Sequence, residues 1–219
     1  MEAAARSAGR DPRAIALLAV SKTWPAQRLR EAAAAGQRAF GENYVQEALA
    51  KMAELSDLDL EWHFIGRVQS NKARAVAAHF DWVHSVDRIE IAQRLSQARP
   101  AQCAALQVCL EVNLSGEASK GGVAPGQAGA LASAVARLPR LRLRGLMAIP
   151  ERVADAESAR LRFRELCELR DRIRAQGMAL DTLSMGMSDD FEAAILEGAT
   201  LVRVGSAIFG ERRSAPLRQ

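Results

Sequence analysis

Lysine is scarce in this chain: four occur against twenty-six arginines among 219 residues. Cysteine is scarcer still. Cys103, Cys109 and Cys167 are odd in number and form no Cys-x-x-Cys, which argues against a disulfide framework or a zinc site. The three histidines, His63, His79 and His84, show no ligand spacing with carboxylates or cysteines, so no metal is expected. Aromatic residues make up 5% of the chain, too few for base-stacking platforms. No run of eighteen apolar residues is present, which excludes a spanning helix. The first residues carry an acid, Glu2, and no apolar core segment, unlike a secretory signal. The expected location is the cytoplasm, with no membrane partner.

Net charge is +4 and the sequence pI about 9.3, which raises nucleic acid as a partner. The arginines are scattered, however, and many face acids along helical stretches such as 157–174. A concentrated basic stripe is missing, so no nucleic-acid partner is expected. Hydrophobic residues make up 49%, enough for one domain with a substantial core. The whole chain, 1–219, reads as a single domain with a short tail from about residue 212.

Short apolar runs alternate with amphipathic helical segments. Strands are expected at 16–21, 38–41, 61–65, 82–85, 106–112, 143–148, 182–185 and 201–204. Helical patterns lie near 25–35, 44–55, 70–78, 87–98, 126–138, 155–176 and 189–197. Pro25 near the start of the first, and Gly36 and Gly177 after two others, punctuate them as helix ends require. Such alternation implies a parallel sheet in an α/β protein. Eight strands suggest a single (β/α)8 TIM barrel, and a doubly wound open sheet is the alternative.

In a barrel, chemistry sits at the C-terminal strand ends. Reading those ends collects Lys22, the Gly41-Glu42-Asn43 turn, Gly66, Ser85, Glu111, Asn113, Met147, Gly186 to Ser188, Arg203, Gly205 and Ser206. Lys22 terminates the apolar run Ala16 to Ser21. A buried amine loses hydration and its pKa can fall to about 5–6. The neutral amine is then a nucleophile for carbonyl compounds. Equally, a strand-end lysine can pack its stem and send its head to water.

Two C-terminal segments suit a phosphate. Met185-Gly186-Met187-Ser188-Asp189-Asp190 follows the seventh strand, and Val204-Gly205-Ser206 follows the eighth. Barrels often hold phosphate on those two loops, where glycine admits close backbone approach and helix N-termini favour an anion. Alternatively, Ser188 caps a helix and Gly205 forms a tight turn. Asp189 and Asp190 read as helix N-terminal acids. Arg203 alternates with Val202 and Val204, pointing either inward to a ligand or outward to a helix acid. His63 reads as a hydrogen-bonded core histidine. Lys120 sits in the loop 115–122, whose glycines imply mobility, and reads most simply as a solvated loop lysine.

Taken together, Ala19 to Thr23, Phe40 to Tyr44, Trp62 to Gly66, Gln69 to Lys72, Glu111 to Asn113, Gly145 to Met147, Leu183 to Asp190 and Val202 to Gly210 resemble one family. It is the pyridoxal phosphate homeostasis proteins, single-domain relatives of the alanine racemase N-terminal barrel (fold type III among proteins that use this cofactor). The resemblance runs from about residue 9 to 211. It implies that Lys22 carries pyridoxal 5'-phosphate (PLP) as an internal aldimine. It also implies that Ser188, Gly205 and Ser206 hold the phosphate, that Asn43 lines the cofactor and that Arg203 faces the ring nitrogen. Lys120 matches a loop lysine that would serve as a second resting place. The implied role is non-catalytic: a monomeric carrier that buffers PLP or delivers it to apo PLP-dependent enzymes. Two enzyme readings stand beside it, an amino-acid racemase and a Schiff-base aldolase. Racemisation in this barrel type needs a second base, and the one tyrosine here is Tyr44. Three departures accompany the resemblance: most of the family's first helix is missing or the start is assigned late, Arg67 stands where a proline is commoner, and Trp24 replaces a frequent lysine.

Overall fold

The computed structural model describes residues 1–117, 121–151 and 156–210. Eight parallel strands close into a barrel in chain order. They are β1 (Ala16–Val20), β2 (Ala39–Glu42), β3 (Glu61–Phe64), β4 (Trp82–Val86), β5 (Leu106–Glu111), β6 (Leu141–Met147), β7 (Thr182–Ser184) and β8 (Leu201–Val204). Closure pairs β1 with β8, from Ala16 opposite Leu201 to Ala19 opposite Val204. That pairing removes both sheet edges and rules out the open doubly wound alternative.

Helices follow the strands as the patterns predict: α2 (Ala26–Ala34), α3 (Val45–Glu54), α4 (Ala73–His79), α5 (Ile89–Ala98), α6 (Pro125–Ala136), α7 (Ala156–Arg174) and α8 (Phe191–Leu196). Two short helices were not expected. Helix α1 (Glu2–Ser7) buries Ala4 and Ala5, and Arg10 ties the segment to Ile195 O at 2.9 Å. Alanine-rich and six residues long, it carries no apolar periodicity to read. Helix α9 (Ser206–Phe209) is a single turn after β8.

Period-two alternation sends one set of strand residues to the helices and the other into the barrel. Phe40, Trp62, Phe64 and Phe80 form an apolar layer, with Phe64 and Phe80 edge to face at 5.2 Å. Each such side chain contributes about 1.5–3 kcal/mol by leaving water. The barrel interior is unusually polar instead. His63, His84, Ser184 and Arg203 are all buried there.

Candidate functional site

All six residues that the sequence singles out for the cofactor line one cavity of about 410 Å3 at the C-terminal mouth: Lys22, Asn43, Ser188, Arg203, Gly205 and Ser206. Ligand cavities commonly run from roughly 300 to 1,000 Å3. Val20, Trp24, Ile65, Ile149 and Met187 supply its apolar walls. Lys22 stands half-buried at the wall of this cavity, not sealed within the core.

The loop after β7 turns sharply at Gly186, whose φ of +91° suits glycine; an added Cβ would lie 2.6 Å from the Ala194 Cβ. Asp190 stands at the N-cap of α8, yet its Oδ1 accepts from Met187 N–H at 2.6 Å. It is thus a helix N-terminal acid, as the sequence suggests, but its carboxylate folds the loop back on itself and leaves the first turn of α8 without a side-chain cap. Ser188 likewise caps no helix. Its Oγ accepts from Gly205 N–H at 3.3 Å and joins the two loops. The first N–H groups of α9 have no partner within a helix turn, which makes this surface a donor face for an anion.

Asn43 directly follows β2 and lines the same cavity as Lys22. Gly66 packs so closely on its backbone that a Cβ would lie 2.4 Å from Asn43 O. Ser85 in turn donates to Gly66 O, so Ser85 braces the wall and does not line the cavity. The Asn43 Oδ1 is buried and has no hydrogen-bond partner among the described residues. An orphaned amide oxygen at a cavity wall is a place for a ligand's polar group.

Arg203 points inward, as its alternation with Val202 and Val204 allowed. Its guanidinium donates to Ser184 O at 2.6 Å, to Ser184 Oγ at 2.8 Å and to Ala148 O at 2.9 Å. Burial lowers its pKa to about 10, partly opposed by Asp190 and Glu111, so it stays a cation at neutral pH. The outward alternative, an ion pair with a helix acid, is not what forms.

Behind Arg203 a chain of hydrogen bonds descends through the barrel. Ser184 Oγ meets His84 Nδ1 at 2.8 Å, His84 Nε2 meets His63 Nδ1 at 2.9 Å, and His63 Nε2 meets Glu61. The Glu61 carboxylate accepts from His63 Nε2, so a neutral His63 accepts at Nδ1 from His84 Nε2, and a neutral His84 accepts at Nδ1 from the Ser184 hydroxyl. Each ring then donates through Nε2, and all partners are satisfied with both histidines neutral. Burial lowers both histidine pKa values, that of His84 strongly, in agreement with neutral rings. His63 is thus the hydrogen-bonded core histidine its setting suggested.

Glu111 and Asn113 fall outside the main cavity. They line a neighbouring one of about 340 Å3 that shares Ile149 and Met187. Burial pushes the Glu111 carboxyl up, helped by Asp87. Glu42 turns away from the cavity into a buried cluster with Ser21 and Lys51. Lys51 and Glu47, which the sequence reading passed over, meet there. The only local sign was an i,i+4 Glu–Lys pair on α3, which usually marks a solvated face. Lys120 lies outside the described residues. Burial raises the Cys109 thiol to about 12, so it is no nucleophile at neutral pH. Among the described residues, no three His, Cys, Asp or Glu side chains are grouped to hold a metal, and no helix is long and apolar enough to cross a membrane.

The residues fit the cofactor that the resemblance implies: an amine, an orphaned amide, a fixed guanidinium and a two-loop donor face surround one space of suitable size. Comparisons with known proteins agree in fold and family. The model of the alanine racemase N-terminal domain matches residues 4–213. A pyridoxal phosphate homeostasis protein of Pseudomonas aeruginosa is 63% identical over 209 residues, covering 95% of this chain and 90% of the relative. One of Escherichia coli K12 is 53% identical over 219 residues, covering 97% and 92%. PipY of Synechococcus elongatus PCC7942, solved with PLP bound, superposes with a TM-score of 0.85 at 42% identity, covering 94% and 97%. Alanine racemase of Corynebacterium glutamicum shares the fold alone, with a TM-score of 0.68 at 18% identity over 98% of this chain and 60% of that one. The chain belongs to the pyridoxal phosphate homeostasis protein family, built on the alanine racemase N-terminal domain.

Proposed function

We propose that this protein binds PLP at Lys22 and serves intracellular PLP homeostasis by holding the cofactor and handing it over. The carrying observation is the convergence of Lys22, Asn43, Arg203 and the Ser188–Gly205–Ser206 loops on one cavity. The names of the relatives, and PLP bound in PipY, support it. PLP supplies an aldehyde for a lysine amine and a ring that withdraws electrons.

In this reading the donor face of the two loops takes the phosphate, and Lys22 takes the aldehyde. Arg203 cannot usefully release a proton, so it donates to a ring nitrogen and keeps that nitrogen unprotonated. That weakens electron withdrawal and disfavours proton removal from a bound amino acid. The one tyrosine, Tyr44, is 57% exposed at the start of α3 and lines no part of the cavity. The protein is accordingly a carrier without substantial turnover, a cytoplasmic monomer whose recipients are apo PLP-dependent enzymes.

One absorbance spectrum of wild type and Lys22→Ala tests the reading. Wild type is expected to show a visible band on purification or after PLP addition, and the variant none. A colourless wild type, trapped by borohydride only after a sugar phosphate is added, would establish the aldolase alternative. Steady racemase turnover that Lys22→Ala abolishes would overturn the carrier role.

A further inference from the structure

The two peptides flanking Lys22 are held from outside the barrel by a second, buried lysine and by Glu47, its partner. Lys51 is 5% exposed, and its Nζ donates to Ser21 O at 2.8 Å, Glu42 Oε1 at 2.7 Å and Glu47 Oε1 at 2.6 Å. An ammonium has three N–H donors, so all three are committed and none remains for a ligand. Glu42 Oε1 also accepts from Ser21 Oγ at 2.6 Å, and Glu47 Oε1 also accepts from Thr23 N–H. Ser21 N–H bonds Gly41 O at 3.0 Å, and Trp24 N–H bonds Ser21 O at 3.0 Å.

Two features show that this arrangement is costly. Thr23 has φ of +68°, a region that β-branched residues seldom enter. Such a conformation persists only where its surroundings over-determine it. Glu42 is fully buried, its Oε2 has no hydrogen-bond partner among the described residues, and burial raises its pKa against the pull of Lys51 and Ser21. Merely seating α3 on the barrel would need neither the strained Thr23 nor a bond to the Ser21 carbonyl.

We propose that Lys51, with Glu42 and Glu47, is a positioning device for Lys22: it fixes Ser21 and Thr23 so that the Lys22 amine is aimed at the aldehyde of a bound cofactor. This inference rests on the PLP reading above and deepens it. Lys51 touches neither the cavity nor its ligand, so its effect passes through the backbone of residues 21–23. It therefore acts on covalent capture and not on phosphate binding.

The test compares PLP with pyridoxamine phosphate, which has the same ring and phosphate but no aldehyde. Affinities for both, and the rate at which the visible band forms, are measured for wild type, Lys51→Met and Glu47→Ala. Folding is checked by circular dichroism. Lys51→Met is expected to weaken PLP binding and slow band formation by about tenfold or more, the scale on which misaligned reacting groups lose rate. Its pyridoxamine phosphate affinity stays within about threefold, less than one hydrogen bond is worth. Glu47→Ala, which removes a half-exposed partner and leaves Glu42 paired, shows the same split in smaller measure. It decides the matter alone if Lys51→Met does not fold. Equal loss for both ligands, or no change for either, overturns the positioning role. Failure of wild type to bind PLP overturns the functional reading instead.

Discussion

Ser188 Oγ accepts a hydrogen bond from Gly205 N–H at 3.3 Å and so joins the loop after β7 to the loop after β8. The loops after two strand ends thereby meet at one wall of the cavity. Substitutions on either loop are expected to affect the same ligand group.

Ser206→Asp places a negative charge on that wall, where it repels a phosphate and competes for the same N–H groups. Titration with PLP is expected to show affinity lowered by about a hundredfold, roughly one charge-assisted hydrogen bond's worth. Ser188→Ala removes one acceptor and one hydroxyl, and is expected to cost about five- to twentyfold. Unchanged affinity in Ser206→Asp would remove Ser206 from the site.

Acid is expected to destabilise the barrel through its buried histidines. Both His63 and His84 have folded-state pKa values lowered by burial, with Glu61 and Asp81 opposing for His63 and Arg203 adding for His84. A depressed folded pKa means that the unfolded chain takes up protons first. Stability is complete above the unfolded value of about 6.5 and falls as pH drops below it, by at most about 1.4 kcal/mol per unit per histidine. Urea unfolding at pH 7.5 and 5.5 measures this, and His84→Gln is expected to flatten the dependence while lowering stability at both. A pH-independent midpoint in wild type would contradict the neutral-ring assignment.

Gly145 and Gly129 are expected to respond to alanine in opposite senses. A Cβ at Gly145 would lie 1.7 Å from Thr182 O, across the β6–β7 pair, so Gly145→Ala must separate two barrel strands. A loss of about 3 kcal/mol or more follows. At Gly129, within α6, the nearest atom to an added Cβ is Gln176 Oε1 at 3.5 Å. Gly129→Ala is expected to stabilise by about 0.5–1 kcal/mol through helix propensity. Chemical denaturation of the two variants side by side tests both signs.

Most of the architecture is legible in the sequence. Strand periodicity and helix punctuation are local patterns, so all eight strands and seven of the helices could be read within a few residues. Lys22 and the Ser188 and Gly205 loops were legible for the same reason: each ends an apolar strand, and strand ends converge in a barrel. Helix α1 was missed because buried alanines give no amphipathic signal. Asp190 does stand at the N-terminus of α8, but that its carboxylate would accept from Met187 N–H in its own loop is a tertiary detail that no local pattern announces.

The sequence alone determined which elements form and at which end of the barrel polar residues gather, because those properties depend on neighbours within a turn or a strand. It could not decide where side chains meet across the fold. Lys51 reaches Ser21 over a separation of 30 residues, and His84 reaches Ser184 over 100. Whether Arg203 faced inward is settled only by closure of the barrel, and whether Glu42 joined the cavity and what holds Thr23 in a left-handed turn only by the packing of α3 against β1 and β2. The physical reason is that a strand's alternation offers two faces, and only the closed barrel assigns one to water-excluded polar contacts and the other to the helices.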